Sequence, residues 1–257
     1  MNMTVPGNVA WFEINTQDVA STKQFYSTLF GWTYTEMPKP ENRQHAYIMI
    51  TAQDAQQPMG GIQQTSSAST PTNIMLSIRS DDVQADTKRL ALLGAKIVNQ
   101  PVQANEVTYA IMQDPQGNLF SIFKCSGVVE QDDAPPTLGS FAWFEVGTSD
   151  VKTTQAFYQT AFGWQFSQYE TGTDRPYYSI AINHESPTGG IADHSSSGNN
   201  QNYLIPYFLV NDVATMVGKA QQLGGQMISS PISTASGLIH ARLLDHQGNL
   251  FGVFSLP

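Results

Sequence analysis

Residues 11–19 read WFEINTQDV, and residues 143–151 read WFEVGTSDV. The likeness continues in the same order through a Phe-Tyr pair, a Phe-Gly-Trp stretch and a Gly-Gly-Ile stretch. It ends in a closing run, DPQGNLF at 114–120 and DHQGNLF at 245–251. A collinear series of matches at nearly constant spacing is the mark of an internal repeat.

The repeat divides the chain into two tandem copies of one domain. We predict the first domain over residues 5–125 and the second over residues 139–257. The segment 126–138 between them is acidic and contains prolines, which is typical of a linker.

Hydrophobic periodicity predicts the same order of elements twice within each copy. Residues 11–15 alternate as a half-buried strand does, Asp18 can cap a following helix, and Gly31 can end that helix. Three strands are predicted next, and the second half of the copy repeats the plan. The sequence therefore predicts an α+β fold with two βαβββ modules in each copy and four in the chain.

Composition excludes several classes of protein. Hydrophobic residues make up 40% of the 257 residues, which is enough for globular cores. The net charge of −9, with only 12 lysines and arginines, argues against nucleic-acid partners and against an anionic membrane surface. The single cysteine, Cys125, excludes an intrachain disulfide, and no signal peptide is recognised at the N-terminus. We expect a cytoplasmic protein.

The paired modules, the helix with Phe-Tyr that ends in Phe-Gly-Trp, and the closing Asp-Pro-x-Gly-Asn strand resemble the vicinal oxygen chelate superfamily. This superfamily includes glyoxalase I, extradiol dioxygenases, and the fosfomycin- and bleomycin-resistance proteins. The resemblance covers nearly the whole chain. It implies that each pair of modules curls into a cup-shaped mixed sheet that binds a ligand. The fold alone does not name an activity, because it hosts isomerases, oxygenases, transferases and metal-free binders.

The resemblance also implies where a metal ion would be held, on the first strand of each module and on the last strand. In this chain those positions fall near Trp11, Met75, Trp143 and Ile205, and at Ser121 and Gly252. A catalytic divalent ion needs at least about three converging N, O or S ligands. These side chains do not supply that set, so we predict no cofactor, and a divalent metal is disfavoured.

Strand alternation predicts which side chains face each cup, because neighbouring residues of a strand point to opposite faces. The predicted ligand-binding residues are Trp11, Met75, Arg79 and Ser121 in the first cup, and Trp143, Tyr207, His240 and Arg242 in the second. Glu13 and Glu145 hold matching places. They are candidate catalytic bases or ligand anchors, since burial can raise the pKa of a carboxyl group, and a structural role is the alternative.

Two local details complete the alignment of the copies. His45 is placed opposite Tyr177. The pairs Gly60-Gly61 and Gly189-Gly190 are interpreted as a strand opening or bulge, because they lack the helix and the lysine of a phosphate-binding loop.

The leading hypothesis is a glyoxalase-like protein that binds a small organic ligand in its cups without the family's metal. One alternative is a metal-dependent lyase, isomerase or dioxygenase that uses displaced ligands, such as Glu13 or Glu145 with a histidine from another strand. A second alternative is a drug-sequestering protein of the bleomycin-resistance type. The sequence leaves open whether the chain is an enzyme and whether it is a monomer or a homodimer, with a monomer preferred.

Overall fold

The computed structural model describes residues 5–39, 44–65, 72–126, 135–169, 176–183, 186–195 and 202–257. Within these residues both copies follow the predicted order of strand, helix and strands, repeated once, so the α+β fold is confirmed. No helix among them is long and apolar enough to cross a membrane.

The described residues of the first copy form eight strands and two helices. In chain order they are β1 (Val9–Thr16), α1 (Val19–Phe30), β2 (Thr33–Glu36), β3 (Ile48–Thr51), β4 (Gly60–Gln64), β5 (Asn73–Arg79), α2 (Val83–Leu92), β6 (Lys96–Ala104), β7 (Val107–Gln113) and β8 (Leu119–Cys125).

The second copy has the same plan in its described residues, except that two short strands take the place of β6. Its elements are β9 (Phe141–Thr148), α3 (Val151–Phe162), β10 (Gln165–Tyr169), β11 (Tyr177–Ala181), β12 (Gly189–Asp193), β13 (Tyr203–Leu209), α4 (Val213–Gln222), β14 (Gln226–Met227), β15 (Ile232–Ser233), β16 (Ile239–Leu244) and β17 (Leu250–Ser255).

The strands form two mixed sheets. The order in the first is β2-β3-β4-β1-β5-β8-β7-β6, and the order in the second is β10-β11-β12-β9-β13-β17-β16-β14, with β15 paired to β16. Within each module the first strand runs parallel to the last, as β1 does with β4 and β13 with β17, while the remaining pairs are antiparallel.

An aspartate precedes each of the four helices that the described residues form. The side chains of Asp18, Asp82, Asp150 and Asp212 each accept a hydrogen bond from the backbone N–H three residues later. This bond satisfies one of the N–H groups that a helix start leaves without an intrahelical partner. Gly31 ends α1 with a φ of 74°, a left-handed conformation that glycine adopts without strain. The predicted helix start at Asp18 and the predicted stop at Gly31 are both confirmed.

The contacts within the chain define two compact units. Unit 1 comprises Met1–Ala10, Leu76–Asp133 and Trp143–Leu204. At its core the ring of Tyr158 stacks on that of Trp164, with centroids 4.4 Å apart and planes 4° from parallel.

Unit 2 comprises Trp11–Met75, Ala134–Ala142 and Ile205–Pro257. Its core repeats the arrangement, since Tyr26 stacks on Trp32 with centroids 4.8 Å apart. Each unit thus combines one half of the first copy with one half of the second. The predicted domain boundaries follow the repeat along the chain and stay a prediction.

The closing Asp-x-Gln-Gly-Asn motif of one copy receives the tyrosine of the other copy's Phe-Tyr pair. In unit 1 the Tyr158 hydroxyl donates to Asp114 Oδ2 at 2.8 Å, and in unit 2 the Tyr26 hydroxyl donates to Asp245 Oδ2 at 3.0 Å. Asp114 also accepts from the backbone N–H groups of Gln116 and Asn118 and from the Asn118 side chain. These donors offset the burial that raises the pKa of Asp114.

Substitution of Tyr158 by Phe should therefore destabilise the protein. The change removes one donor from a buried carboxylate while the ring stays in place, and such bonds contribute about 1.5–3 kcal/mol to the free energy of unfolding. Urea unfolding followed by circular dichroism measures the loss. The exposed Tyr169 offers a matched control, and Tyr169→Phe should change the free energy of unfolding by less than about 0.5 kcal/mol. Equal effects of the two substitutions would contradict the role assigned to the Tyr158 bond.

Candidate functional site

Strand β1 separates core residues from candidate site residues by alternation. Phe12 and Ile14 are fully buried, whereas Trp11, Glu13 and Asn15 on the opposite face are half-buried. This is the predicted parity, and it is confirmed.

The half-buried face of β1 in unit 2 carries a short polar network. Trp11 Nε1 donates to the Tyr47 hydroxyl at 3.0 Å, and Asn15 Nδ2 donates to Asn73 Oδ1 at 3.1 Å. The Tyr47 ring lies against Gly61, where a Cβ atom would come within 2.0 Å of the Tyr47 hydroxyl. We name this face, Trp11, Glu13 and Asn15 with Tyr47 and Asn73, the open face.

The corresponding face of β9 in unit 1 is filled. Glu145 is only 5% exposed, and its Oε1 accepts a hydrogen bond from the Tyr203 hydroxyl at 2.7 Å. The Tyr177 hydroxyl also bonds Glu145 and accepts from Trp143 Nε1 at 3.1 Å. Nε2 of the buried His194 lies 3.0 Å from the Tyr203 hydroxyl. We name this set of five residues the closed face.

The bonds of the closed face converge on one carboxylate. Tyr177 and Tyr203 both donate to Glu145. The indole N–H of Trp143 donates in turn to the Tyr177 oxygen. Burial raises the pKa of Tyr177 well above its usual value, and the nearby charge of Glu145 raises it further. Two phenol donors satisfy the hydrogen-bonding capacity of this buried carboxyl group, so the geometry supports a structural role for Glu145.

In unit 2, three of the predicted second-cup residues lie together. Tyr207 pairs with Gly252 across the sheet, Gly252 pairs with Arg242, and a Cβ atom at residue 252 would lie 2.3 Å from the Tyr207 ring. His240 is two residues from Arg242 on the same side of β16, and its ring centroid lies 6.4 Å from that of Tyr207. Tyr207 is buried, and the other two side chains are half-buried.

Three further residues predicted for the first cup are on or beside β5, since Ser121 lies opposite Ser77 in the register of β5 with β8. Met75 is buried, with 3% of its surface exposed. In unit 1, Ser121 is buried and its hydroxyl donates to Ser77 Oγ at 2.6 Å. The guanidinium of Arg79 lies at the end of β5, where it donates to the backbone carbonyls of Ser80 and Phe123.

These side chains do not fit a divalent metal. At the two positions where the resemblance implies the last-strand ligand, Ser121 is bonded to another serine and Gly252 is covered by a tyrosine ring. In the part of the chain that the structure describes, no three His, Cys, Asp or Glu side chains come together to hold a metal ion. A transition-metal site needs such donors converging on one point.

Sequence reasoning missed four residues of the open and closed faces: Tyr47, Tyr177 as a partner of Glu145, His194 and Tyr203. The placement of His45 opposite Tyr177 is wrong, because Tyr47 receives the Trp11 bond just as Tyr177 receives the Trp143 bond. The sequence signal for Tyr47 and Tyr177 was the Trp-x-Glu stretch that both copies share. Matching tryptophans are expected to have matching hydrogen-bond partners, and these are the two tyrosines.

The Gly-Gly pairs open strands β4 and β12, as predicted, and the alternative of a bulge is wrong. Gly60 and Gly61 pair in regular register with Phe12 and Glu13. A Cβ atom at residue 60 would strike the Phe12 ring, and one at residue 61 would strike Tyr47. Glycine is needed there because an aromatic ring lies against the strand on both faces.

Comparisons with known proteins agree with this fold. Residues 11–123 match the family described as a glyoxalase-like domain. The whole chain is 28% identical to the anthracycline biosynthesis protein DauV of Streptomyces sp. strain C5, and the match covers 96% of that protein. It is 25% identical to the putative glyoxylase CFP32 of Mycobacterium bovis, over 96% of this chain and 94% of that protein. The 2,2',3-trihydroxybiphenyl 1,2-dioxygenase of Sphingomonas wittichii strain RW1 superposes with a TM-score of 0.63 over 98% of this chain and 91% of the dioxygenase, at 10% identity, and shares the fold alone.

The buried Tyr177 should make stability depend on alkaline pH. Its folded-state pKa lies above the unfolded value of about 10, so its contribution is complete below pH 10 and is lost as the pH rises further. Above pH 10 the free energy of unfolding should fall as the pH rises. Tyr177→Phe should make this fall less steep by up to about 1.4 kcal/mol per pH unit. Urea unfolding between pH 9 and 11 measures the slope. The control Tyr169→Phe should keep the wild-type slope, and an unchanged slope in Tyr177→Phe would refute the assignment.

Proposed function

We propose that this chain, with a glyoxalase-like domain in its first copy, is a member of the vicinal oxygen chelate superfamily and binds a small organic molecule on the open face without the superfamily's metal ion. Trp11 provides an aromatic surface for the ligand, and Glu13 provides a hydrogen-bond acceptor. This pairing of apolar area with one polar group is typical of small-molecule sites.

The observation that carries the proposal is the kind of side chain found at the two positions where the resemblance implies a last-strand metal ligand. Ser121 is hydrogen-bonded to Ser77 there, and the Tyr207 ring lies against Gly252. A carboxylate at residue 252 would require the Tyr207 ring to leave its position. Without a Lewis acid, binding depends on the aromatic and carboxylate groups that remain.

The difference in burial of Glu13 and Glu145 also supports a ligand site in the first copy. Glu13 is half-buried beside Trp11, whereas Glu145 is enclosed by two tyrosines. The Streptomyces relative is named for anthracycline biosynthesis, which is compatible with an organic ligand for this chain.

One observation favours the alternative of a metal-dependent enzyme with displaced ligands. Glu145 and His194 approach the same Tyr203 hydroxyl, so a carboxylate and an imidazole lie near one another in unit 1. A metal there would have to displace Tyr203 and recruit further donors.

Metal analysis separates the two candidates. We expect tag-free protein to contain Zn, Ni, Mn and Fe far below one equivalent per copy by elemental mass spectrometry. We also expect its melting temperature to be unchanged by these ions or by a chelator, because an ion that binds only the folded state would raise it. About one bound equivalent per copy, with melting lowered by the chelator, would overturn the metal-free proposal and favour the displaced-ligand enzyme.

A further inference from the structure

A serine and a histidine that are far apart in the chain form a hydrogen-bonded pair in unit 2. Ser21 lies in the first turn of α1, and His246 lies in the turn between β16 and β17. Ser21 Oγ is 2.5 Å from His246 Nε2, and neither residue belongs to the open face. The imidazole ring also stacks on the Phe25 ring, with centroids 5.0 Å apart. A hydroxyl in contact with an imidazole nitrogen is the arrangement that activates a serine as a nucleophile.

The neighbouring glutamine fixes which nitrogen of His246 carries the proton. Gln247 Oε1 accepts from Thr16 Oγ1 and Gln247 Nε2 donates to Thr22 Oγ1, so the orientation of the amide is set. The same amide nitrogen lies 3.2 Å from His246 Nε2. An amide nitrogen can only donate, so His246 Nε2 is an acceptor and the ring proton is on Nδ1. The Ser21 hydroxyl therefore donates to His246 Nε2, as a nucleophilic serine donates to its general base.

The other nitrogen of the imidazole distinguishes this pair from a Ser-His-Asp triad. His246 Nδ1 is buried and has no hydrogen-bond partner among the described residues. In a triad an aspartate holds this nitrogen and stabilises the imidazolium that forms. Here the Gln247 amide and the Phe25 ring hold the imidazole in place. Because no carboxylate bonds Nδ1 among these residues, the reaction that the pair supports should be slow.

The start of α1 favours negative charge near the Ser21 side chain. The Cα–Cβ bonds of a helix tilt toward its N-terminus, so Ser21 Oγ lies over the first turn. The N–H groups of Val19 and Ala20 have no intrahelical acceptor in that turn, and the helix dipole adds a partial positive charge. Ser21 is half-buried and Ala20 is exposed, so a small reagent can approach this turn from the solvent.

The matching position of the other copy lacks the pair. Thr153 takes the place of Ser21, and its hydroxyl donates to the capping Asp150 at 2.6 Å. Pro115 takes the place of His246. Helix α3 begins with the same kind of aspartate cap without an imidazole, so capping does not account for the serine–histidine pair.

We propose that Ser21 is a nucleophile that accepts an acyl group from an activated ester or thioester, with His246 as its general base. The Ser21 oxygen forms a bond to the carbonyl carbon of the donor, and the bond from that carbon to the leaving oxygen or sulfur breaks. The hydroxyl proton passes to His246 Nε2 and from there to the leaving group. This reaction needs no metal ion and is separate from ligand binding on the open face.

The probe for the test is p-nitrophenyl acetate. Full-length protein should release p-nitrophenolate in a burst of about one equivalent per chain, the kinetic sign of an accumulating acyl-enzyme. Peptide mass spectrometry of the wild-type protein should place the acetyl group on Ser21. Thr153 is the internal control and should remain unmodified, because it has no histidine beside it. This measurement needs no variant.

Variants identify the nucleophile and the base. Ser21→Ala should abolish the burst, whereas Ser27→Ala, at an exposed serine of the same helix, should keep it. His246→Gln should slow the acetylation of Ser21 about 100-fold, since a general base contributes at least about that factor. Circular dichroism establishes that each variant is folded before its rate is compared.

Three outcomes overturn the proposal: no acetyl group on Ser21 in the wild-type protein, equal acetylation of Ser21 and Thr153, or an unchanged rate in folded His246→Gln. If His246→Gln does not fold, the wild-type map and the comparison of Ser21→Ala with Ser27→Ala decide. None of these outcomes involves metal content or the open face, so the proposed function is judged separately.

Discussion

A buried hydrogen bond from a helix tyrosine to a turn aspartate organises each compact unit. Tyr26 bonds Asp245 in unit 2, and Tyr158 bonds Asp114 in unit 1. A carboxylate in such a position is costly unless several donors satisfy it, and the turn supplies backbone and asparagine N–H groups in addition to the phenol. Because the tyrosine and the aspartate come from different copies, neither copy completes a unit alone. The buried part of each unit therefore depends on residues from both copies.

Glycines beneath tyrosine rings determine the chemistry of the sheet faces. Gly61 and Gly190 make room for equivalent tyrosines in both copies, whereas Gly147 and Gly252 make room for Tyr203 and Tyr207 in the second copy only. At the last two sites the first copy has asparagine and serine. A ring can lie flat on a strand only where the facing residue has no Cβ atom. A few differences between glycine and small polar residues thus change which side chains lie on a face, while both cores keep the same aromatic stack.

Fold and site are therefore under separate constraints in this chain. The aromatic stacks of Tyr26 on Trp32 and Tyr158 on Trp164 lie in the cores of an architecture that the trihydroxybiphenyl dioxygenase of Sphingomonas wittichii shares. The two positions where the resemblance implies a last-strand metal ligand carry Ser121, which bonds Ser77, and Gly252, which packs against Tyr207. Proteins with the same architecture can carry different metal-binding side chains. The fold alone therefore does not assign the reaction or the ligand.

The sequence by itself determined the repeat, the order of the modules, the helix start at Asp18 and the alternation of β1, because each of these follows from residues close together in the chain. Only the tertiary structure decided that Tyr47 rather than His45 meets Trp11, that Tyr203 reaches Glu145 and that Arg79 bonds backbone carbonyls at a strand end. Tyr203 and Glu145 are 58 residues apart. Their contact depends on strand order, on register and on the missing Cβ atom of Gly147, and no local periodicity encodes these.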